Sequence, residues 1–123
     1  MNFEQTPEFK KDLKALAKRV PTIASDVKRV RSKVEALYIE SPEYNLVEYR
    51  KQFFSSKKAA ILPGSTDLIE IIKMRLDTDT PQYRQKLRIV FVAIRQNDRI
   101  LLVELYSKNN KNREDISRIR KYT

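Results

Sequence analysis

Asp67–Leu76 (DLIEIIKMRL), Leu87–Arg95 (LRIVFVAIR) and Ile100–Tyr106 (ILLVELY) are the stretches whose reading decides the fold. All three are rich in branched and aromatic residues and read as strands. Asp77–Lys86 between the first two is a polar loop containing Pro81, and Gln96-Asn97-Asp98-Arg99 reads as a hairpin turn. An antiparallel three-stranded meander is expected. Strands alternate their side chains from face to face. In the first run Ile69, Ile71, Lys73 and Arg75 therefore share one face, and Leu68, Glu70, Ile72, Met74 and Leu76 share the other. In the second, Arg88 leads the row Arg88, Val90, Val92, Ile94, and Lys108 follows just past the end of the third. A neighbouring strand brings Arg88 alongside Lys73 and Arg75, so the sheet is expected to gather cations on one patch facing solvent.

Upstream the period is helical. Asn2–Thr6 reads as a short edge strand. Thr6 is placed to cap a helix, with Pro7 at its first position and Glu8 in its first turn. Phe9, Leu13, Leu16, Ala17 and Val20 form one apolar stripe, which Pro21 stops. Thr22 reads as the cap of a second helix with the stripe Ile23, Val27, Val30, Val34 and Leu37. So short a connection predicts an antiparallel helical pair. Residues 40–66 read as a less regular insertion: Glu43–Phe54 is a short helix or an ordered insertion, Ser55–Lys58 a loop, and Pro63-Gly64-Ser65-Thr66 a turn into the next strand. Asn112 is the expected cap of a closing helix, with Glu114 and Asp115 in its first turn and Arg118, Arg120 and Lys121 near its end, as the helix dipole favours. The expected class is α+β: an N-terminal helical hairpin packed on a small, mainly antiparallel sheet, with a C-terminal helix, in a single domain over residues 1–123.

Composition narrows the chemistry. The chain has 123 residues, no cysteine and no histidine. Disulfides, thiolate metal sites and a cysteine nucleophile are excluded, as are the usual imidazole metal ligand and near-neutral general base. Acid–base work falls to Lys, Arg, Glu, Asp or Tyr. The single glycine, Gly64, rules out a glycine-rich phosphate loop. No metal or small-molecule cofactor is expected. Net charge is +10 and the pI is near 9.9, a field that favours polyanions such as nucleic acid or the ribosome. The charged opening and the lack of any apolar run approaching ~20 residues predict a soluble, cytoplasmic protein without a membrane partner.

Two cationic groups stand out. The outer faces of the helices carry Lys10, Lys11, Lys14, Lys18, Arg19, Lys28, Arg29, Arg31 and Lys33, which make either a solvated face or a track for RNA backbone; Lys111 and Arg113, beyond the last strand, are counted with that track. The second group is Lys73, Arg75, Arg88 and Lys108. At about 6 Å and an effective dielectric near 20, each like-charge pair there costs on the order of 2–3 kcal/mol before salt screening. Such a cluster is kept for an anion unless Lys73 and Arg75 pair with Glu70, Asp77 or Asp79, or simply snorkel to water.

The opening FEQTPEFKKDLKAL (Phe3–Leu16), Lys73-Met74-Arg75-Leu76, Arg88-Ile89-Val90-Phe91 and Tyr106-Ser107-Lys108-Asn109 together resemble the RelE/ParE toxin superfamily of type II toxin–antitoxin systems. The Tyr-Ser-Lys-Asn end is most similar to HigB-like members, and residues 40–66 fit worst. The resemblance implies a ribosome-dependent mRNA endonuclease, acting by metal-free attack of a ribose 2′-oxygen, with the ribosome, mRNA and a cognate antitoxin protein as partners. It assigns Lys73 and Arg75 to the basic pair of the central strand, Arg88 to the arginine that stabilises the phosphate, and Lys108 to a further basic position. Lys73 is then the candidate base, and Lys108 or Tyr122 the candidate acid. Around Asn109–Asn112, asparagines and Lys111 replace a more arginine-rich stretch. A ParE-like gyrase inhibitor and a non-catalytic RNA-binding domain are the alternatives on the same fold.

Overall fold

The computed structural model describes residues 1–39 and 42–123; the first two positions of the expected insertion, Glu40 and Ser41, lie outside them. In chain order the elements are β1 (Asn2–Gln5), α1 (Pro7–Ala17), α2 (Ile23–Glu35), α3 (Leu46–Ser55), β2 (Ala59–Ile61), β3 (Ile69–Leu76), β4 (Leu87–Ile94), β5 (Arg99–Ser107) and α4 (Ile116–Arg120). This is a mixed α+β architecture, with one five-stranded sheet in the order β1-β5-β4-β3-β2.

The expected mainly antiparallel sheet is corrected to a mixed one, because β1 pairs with β5 in parallel while β2, β3, β4 and β5 pair antiparallel. Thr6 explains the direction of β1. Its hydroxyl accepts from Phe9 N–H, capping α1, and donates to the Leu102 carbonyl, so the first strand must run alongside β5 to deliver the helix there. A self-contained helical hairpin is likewise not clearly formed. α1 packs chiefly on β5, and α2 touches both α1 and β3. Thr22 does not cap α2 through its side chain; its hydroxyl donates instead to Asp26 Oδ2 at 3.0 Å.

Two apolar layers sandwich the sheet. Phe9, Leu16, Val20, Ile23, Val27, Val30, Val34 and Leu37 from the helical side meet Ile72, Leu76, Ile89, Phe91 and Leu102. The opposite face was expected to look onto solvent; it does not. Ile71, Val90, Val92, Leu101, Val103 and Tyr106 pack there with Ile119 of α4, and Tyr122 adds to them. The C-terminal segment therefore covers the second face. It is tied down by Arg118, whose Nη1 lies 2.5 Å from Asp12 Oδ2 and 3.1 Å from the Val103 carbonyl. Asp115, not Asn112, caps α4, accepting from Arg118 N–H at 3.0 Å.

The stretch from Leu46 to Ile61 carries α3 and the edge strand β2. α3 is held by an electrostatic latch: Arg50 Nη2 and Arg95 Nη2 approach the two oxygens of Glu70 at 2.6 and 3.2 Å, and each guanidinium carbon lies 5.5 Å from the Tyr38 ring centre. Gly64 sits in the β2–β3 turn at φ 95°, in the left-handed region that side-chain-bearing residues avoid.

Candidate anion site on the second sheet face

β3 and β4 pair so that Arg75 lies directly opposite Arg88, and Lys73 opposite Val90. β4 and β5 pair so that Arg88 lies opposite Tyr106, and Val90 opposite Glu104. Paired residues share a face and sit with Cβ atoms about 4.5–5.5 Å apart. Arg75, Arg88 and Tyr106 thus form one cross-strand row, and Lys73, Val90 and Glu104 the adjacent one.

A β-bulge builds this arrangement. Val90 pairs with Glu104, but Phe91 pairs with Leu102, so Val103 is the extra residue. By simple alternation from Ile100 and Leu102, Glu104 and Tyr106 would face the helices. The bulge turns both onto the face of Arg88, as bulges commonly do where a side chain must be re-aimed.

Carboxylates neutralise most cations near the sheet. Five arginines are half-buried: Arg50, Arg75, Arg88, Arg99 and Arg118. Three are ion-paired, Arg50 with Glu70, Arg99 with Glu4 and Arg118 with Asp12. Among the described residues Arg75 and Arg88 have no carboxylate partner, and they are the two that face each other. Arg88 Nη1 donates only to the carbonyls of Gln85 and Leu87, at 2.9 and 3.0 Å. Burial first, and then the charge of Arg75, pull the Arg88 guanidinium below its usual pKa. Arg75 Nε and the Tyr106 hydroxyl are buried and unbonded; a polar group left so costs about 1–3 kcal/mol.

Lys73 shares the face with Arg75 but is compensated. Its Nζ lies 3.0 Å from Glu114 Oε2, so the expected all-cationic surroundings are corrected for this residue. Burial pushes the Glu114 carboxyl up, but its own backbone N–H and then Lys73 outweigh this, leaving it below the ordinary value. Glu104, 1% exposed, is met by Lys111 Nζ and by Asp115 N–H at 2.7 Å.

The other expected residues are dispersed. Lys108 is exposed one residue beyond β5, with its N–H on the Lys86 carbonyl at 2.8 Å. Tyr122 is drawn to α1, where its hydroxyl donates to Glu8 Oε1 at 2.5 Å, and Lys121 joins the same carboxylate. Lys10 and Lys14 on α1, Lys18 at its C-cap, and Lys28 and Arg31 on α2 are all exposed; the Arg31 guanidinium rests 4.7 Å from the Phe3 ring centre. Lys111 is committed to Glu104 and lies 5.2 Å from the Tyr106 ring centre. Arg113 lines a largely apolar cleft of about 490 Å³ with Leu62, Ile71, Ile116, Ile119 and Arg120, and Glu114, the partner of Lys73, lines it too.

No protein-family model, curated protein or solved structure matches this chain. Chemistry must therefore be read from the row itself. Two guanidinium groups without a carboxylate partner among the described residues, beside a buried hydroxyl, form a ready site for a tetrahedral or planar oxyanion. The sequence reading assigns no chemical role to Glu104, to Tyr106, which figures there only as the first residue of the Tyr-Ser-Lys-Asn motif, or to Glu114, which figures only as a first-turn acid of the closing helix. For Glu104 a signal exists, a lone acid within the apolar run ILLVELY.

Proposed function

We propose that the protein is the toxin of a type II toxin–antitoxin system, a cytoplasmic endonuclease that cuts mRNA in the ribosomal A site. The observation that carries this reading is the facing pair Arg75 and Arg88, both lacking a carboxylate partner among the described residues, where the other half-buried arginines are neutralised. The RelE/HigB-like motifs at Lys73–Leu76, Arg88–Phe91 and Tyr106–Asn109 lie on or beside three adjacent strands.

In this mechanism Arg75 and Arg88 bind the scissile phosphodiester and stabilise the charge that develops on its non-bridging oxygens. The ribose 2′-oxygen forms a bond to phosphorus while the bond to the 5′-oxygen breaks, leaving a 2′,3′-cyclic phosphate and a 5′-hydroxyl. Lys73 is the group beside the 2′-hydroxyl. It exchanges Glu114 for RNA on binding and, acting as the neutral amine once its own proton has passed to solvent, takes the 2′ proton. Lys108, exposed at the strand end, returns a proton to the 5′-oxygen; Tyr122 is held away by Glu8. Acid–base assistance of this kind is typically worth roughly 10²–10⁴-fold. An antitoxin with an acidic amphipathic segment suits the cleft whose apolar floor is rimmed by Arg113 and Arg120.

The test is expression with mapping of mRNA 5′ ends. The wild type arrests growth and produces in-frame cuts, and Arg88→Ala does neither while keeping its circular dichroism spectrum. Full toxicity of Arg88→Ala, or blocked gyrase supercoiling with intact mRNA, would replace this reading with the ParE-like one.

A further inference from the structure

We infer that Tyr106 is a third ligand-contacting residue of the site, its hydroxyl donating a hydrogen bond to an oxygen of the phosphodiester that Arg75 and Arg88 hold. The inference deepens the phosphodiester reading and rests on it.

Its first support is placement. Tyr106 is the residue opposite Arg88, as Arg75 is on the other side, so three strands contribute one polar group each to a single row. Its second support is unspent hydrogen-bonding capacity. Three buried side-chain polar atoms among the described residues lack a partner, and two of them, Arg75 Nε and the Tyr106 hydroxyl, belong to this row. Buried groups of this kind are nearly always satisfied. Two in one row, flanking a third donor without a counter-ion, mark a place where acceptor oxygens are supplied from outside. The third such atom, the Tyr38 hydroxyl, lies beside the Glu70 latch on the helical face and has no part in this.

The ring is also held for the task. Tyr106 is 5% exposed and packs with Val90, Val103 and Ile119, and Lys111 lies over its ring. Phenylalanine would fill that volume equally well, so packing does not account for the hydroxyl. Burial, then the charges of Glu114 and Glu104, push the phenol up to about 12. It therefore stays protonated near neutral pH and acts as a donor. Glu114 belongs to the C-terminal segment that packs on this face, and an entering phosphate takes the place of its carboxylate beside Lys73.

The experiment is a double-mutant cycle of Tyr106→Phe and Arg88→Gln in the full chain. Affinity is read by fluorescence anisotropy with a short single-stranded RNA carrying 2′-deoxyribose throughout its central nucleotides, so that cleavage cannot occur. Tyr106→Phe is expected to weaken binding about tenfold or more, to leave the urea midpoint equal or higher, and to have almost no further effect once Arg88 is Gln. Unchanged affinity overturns the inference, as do equal losses in both backgrounds or a destabilised Tyr106→Phe whose affinity matches wild type. Coupling in a protein that cuts no mRNA would leave Tyr106 in place and dismiss the nuclease. Cleavage without coupling would do the reverse.

Discussion

Arg75 and Arg88 are opposed across β3 and β4, where like charges destabilise a sheet. Removing either charge relieves that opposition, so Arg75→Gln is expected to raise stability in low-anion buffer by about 0.5–1 kcal/mol, read from urea unfolding. A loss of stability would mean that the guanidinium has a structural partner. The facing pair was legible in the sequence, because residues 69–76 and 88–94 alternate without interruption. The contribution of Tyr106 was not. A single extra residue, Val103, reverses the parity of everything after it in β5, and nothing in the string LLVELYS marks the position of a bulge. The pairing of Lys73 with Glu114 was equally hidden, since 41 residues separate them and no local pattern joins them.

At the scale of elements, the C-terminal segment is fastened by carboxylates. Glu8 accepts from Lys121 and Tyr122 and is lowered, chiefly by Lys121, to about 2 from an ordinary 4.5; Glu114 is lowered too. A depressed carboxyl contributes stability that is complete above its unfolded value and is lost as pH falls through its folded one. Hydrogen-exchange protection of α4 is therefore expected to fall between about pH 4.5 and pH 2, ahead of β4 and β5. Protection that stays level across this window would dismiss the carboxylate anchors. α3 is also fastened through a carboxylate, Glu70, which pairs with Arg50 and Arg95. Glu70→Gln leaves Arg50 and Arg95 facing each other and should cost on the order of 2–3 kcal/mol, below the roughly 3–5 kcal/mol of an enclosed pair, because the Arg95 side chain is 42% exposed. Differential scanning calorimetry reads the loss directly. This region resisted sequence reading for a physical reason. α3 has no fully buried residue and hence no clean stripe, and β2 is three residues long. The capped, striped α1 and the long strands β3 to β5 were legible because each buries a continuous face.

For the whole molecule, the +10 charge is unevenly spent. Acids are drawn inward to Arg50, Arg95, Arg118, Lys73 and Lys111, leaving the outer faces of α1 and α2 cationic. If those faces track RNA backbone, log Kd for single-stranded RNA should change with log salt by roughly 0.7 per phosphate neutralised. Lys10→Glu, Lys14→Glu and Lys18→Glu together should then reduce that slope by about 2; an unchanged slope would make the helices a solvated surface only. On the proposed reading the helical face and the sheet row would serve different ends, general attraction and a defined seat for one phosphate. That seat is tested most directly by thermal unfolding in phosphate against chloride of equal ionic strength. The wild-type Tm is expected to climb with phosphate as a bound ligand requires, and the double variant Arg75→Gln/Arg88→Gln to start higher and stay flat. A wild type indifferent to phosphate, or a double variant that gains as much from it, would contradict the anion site.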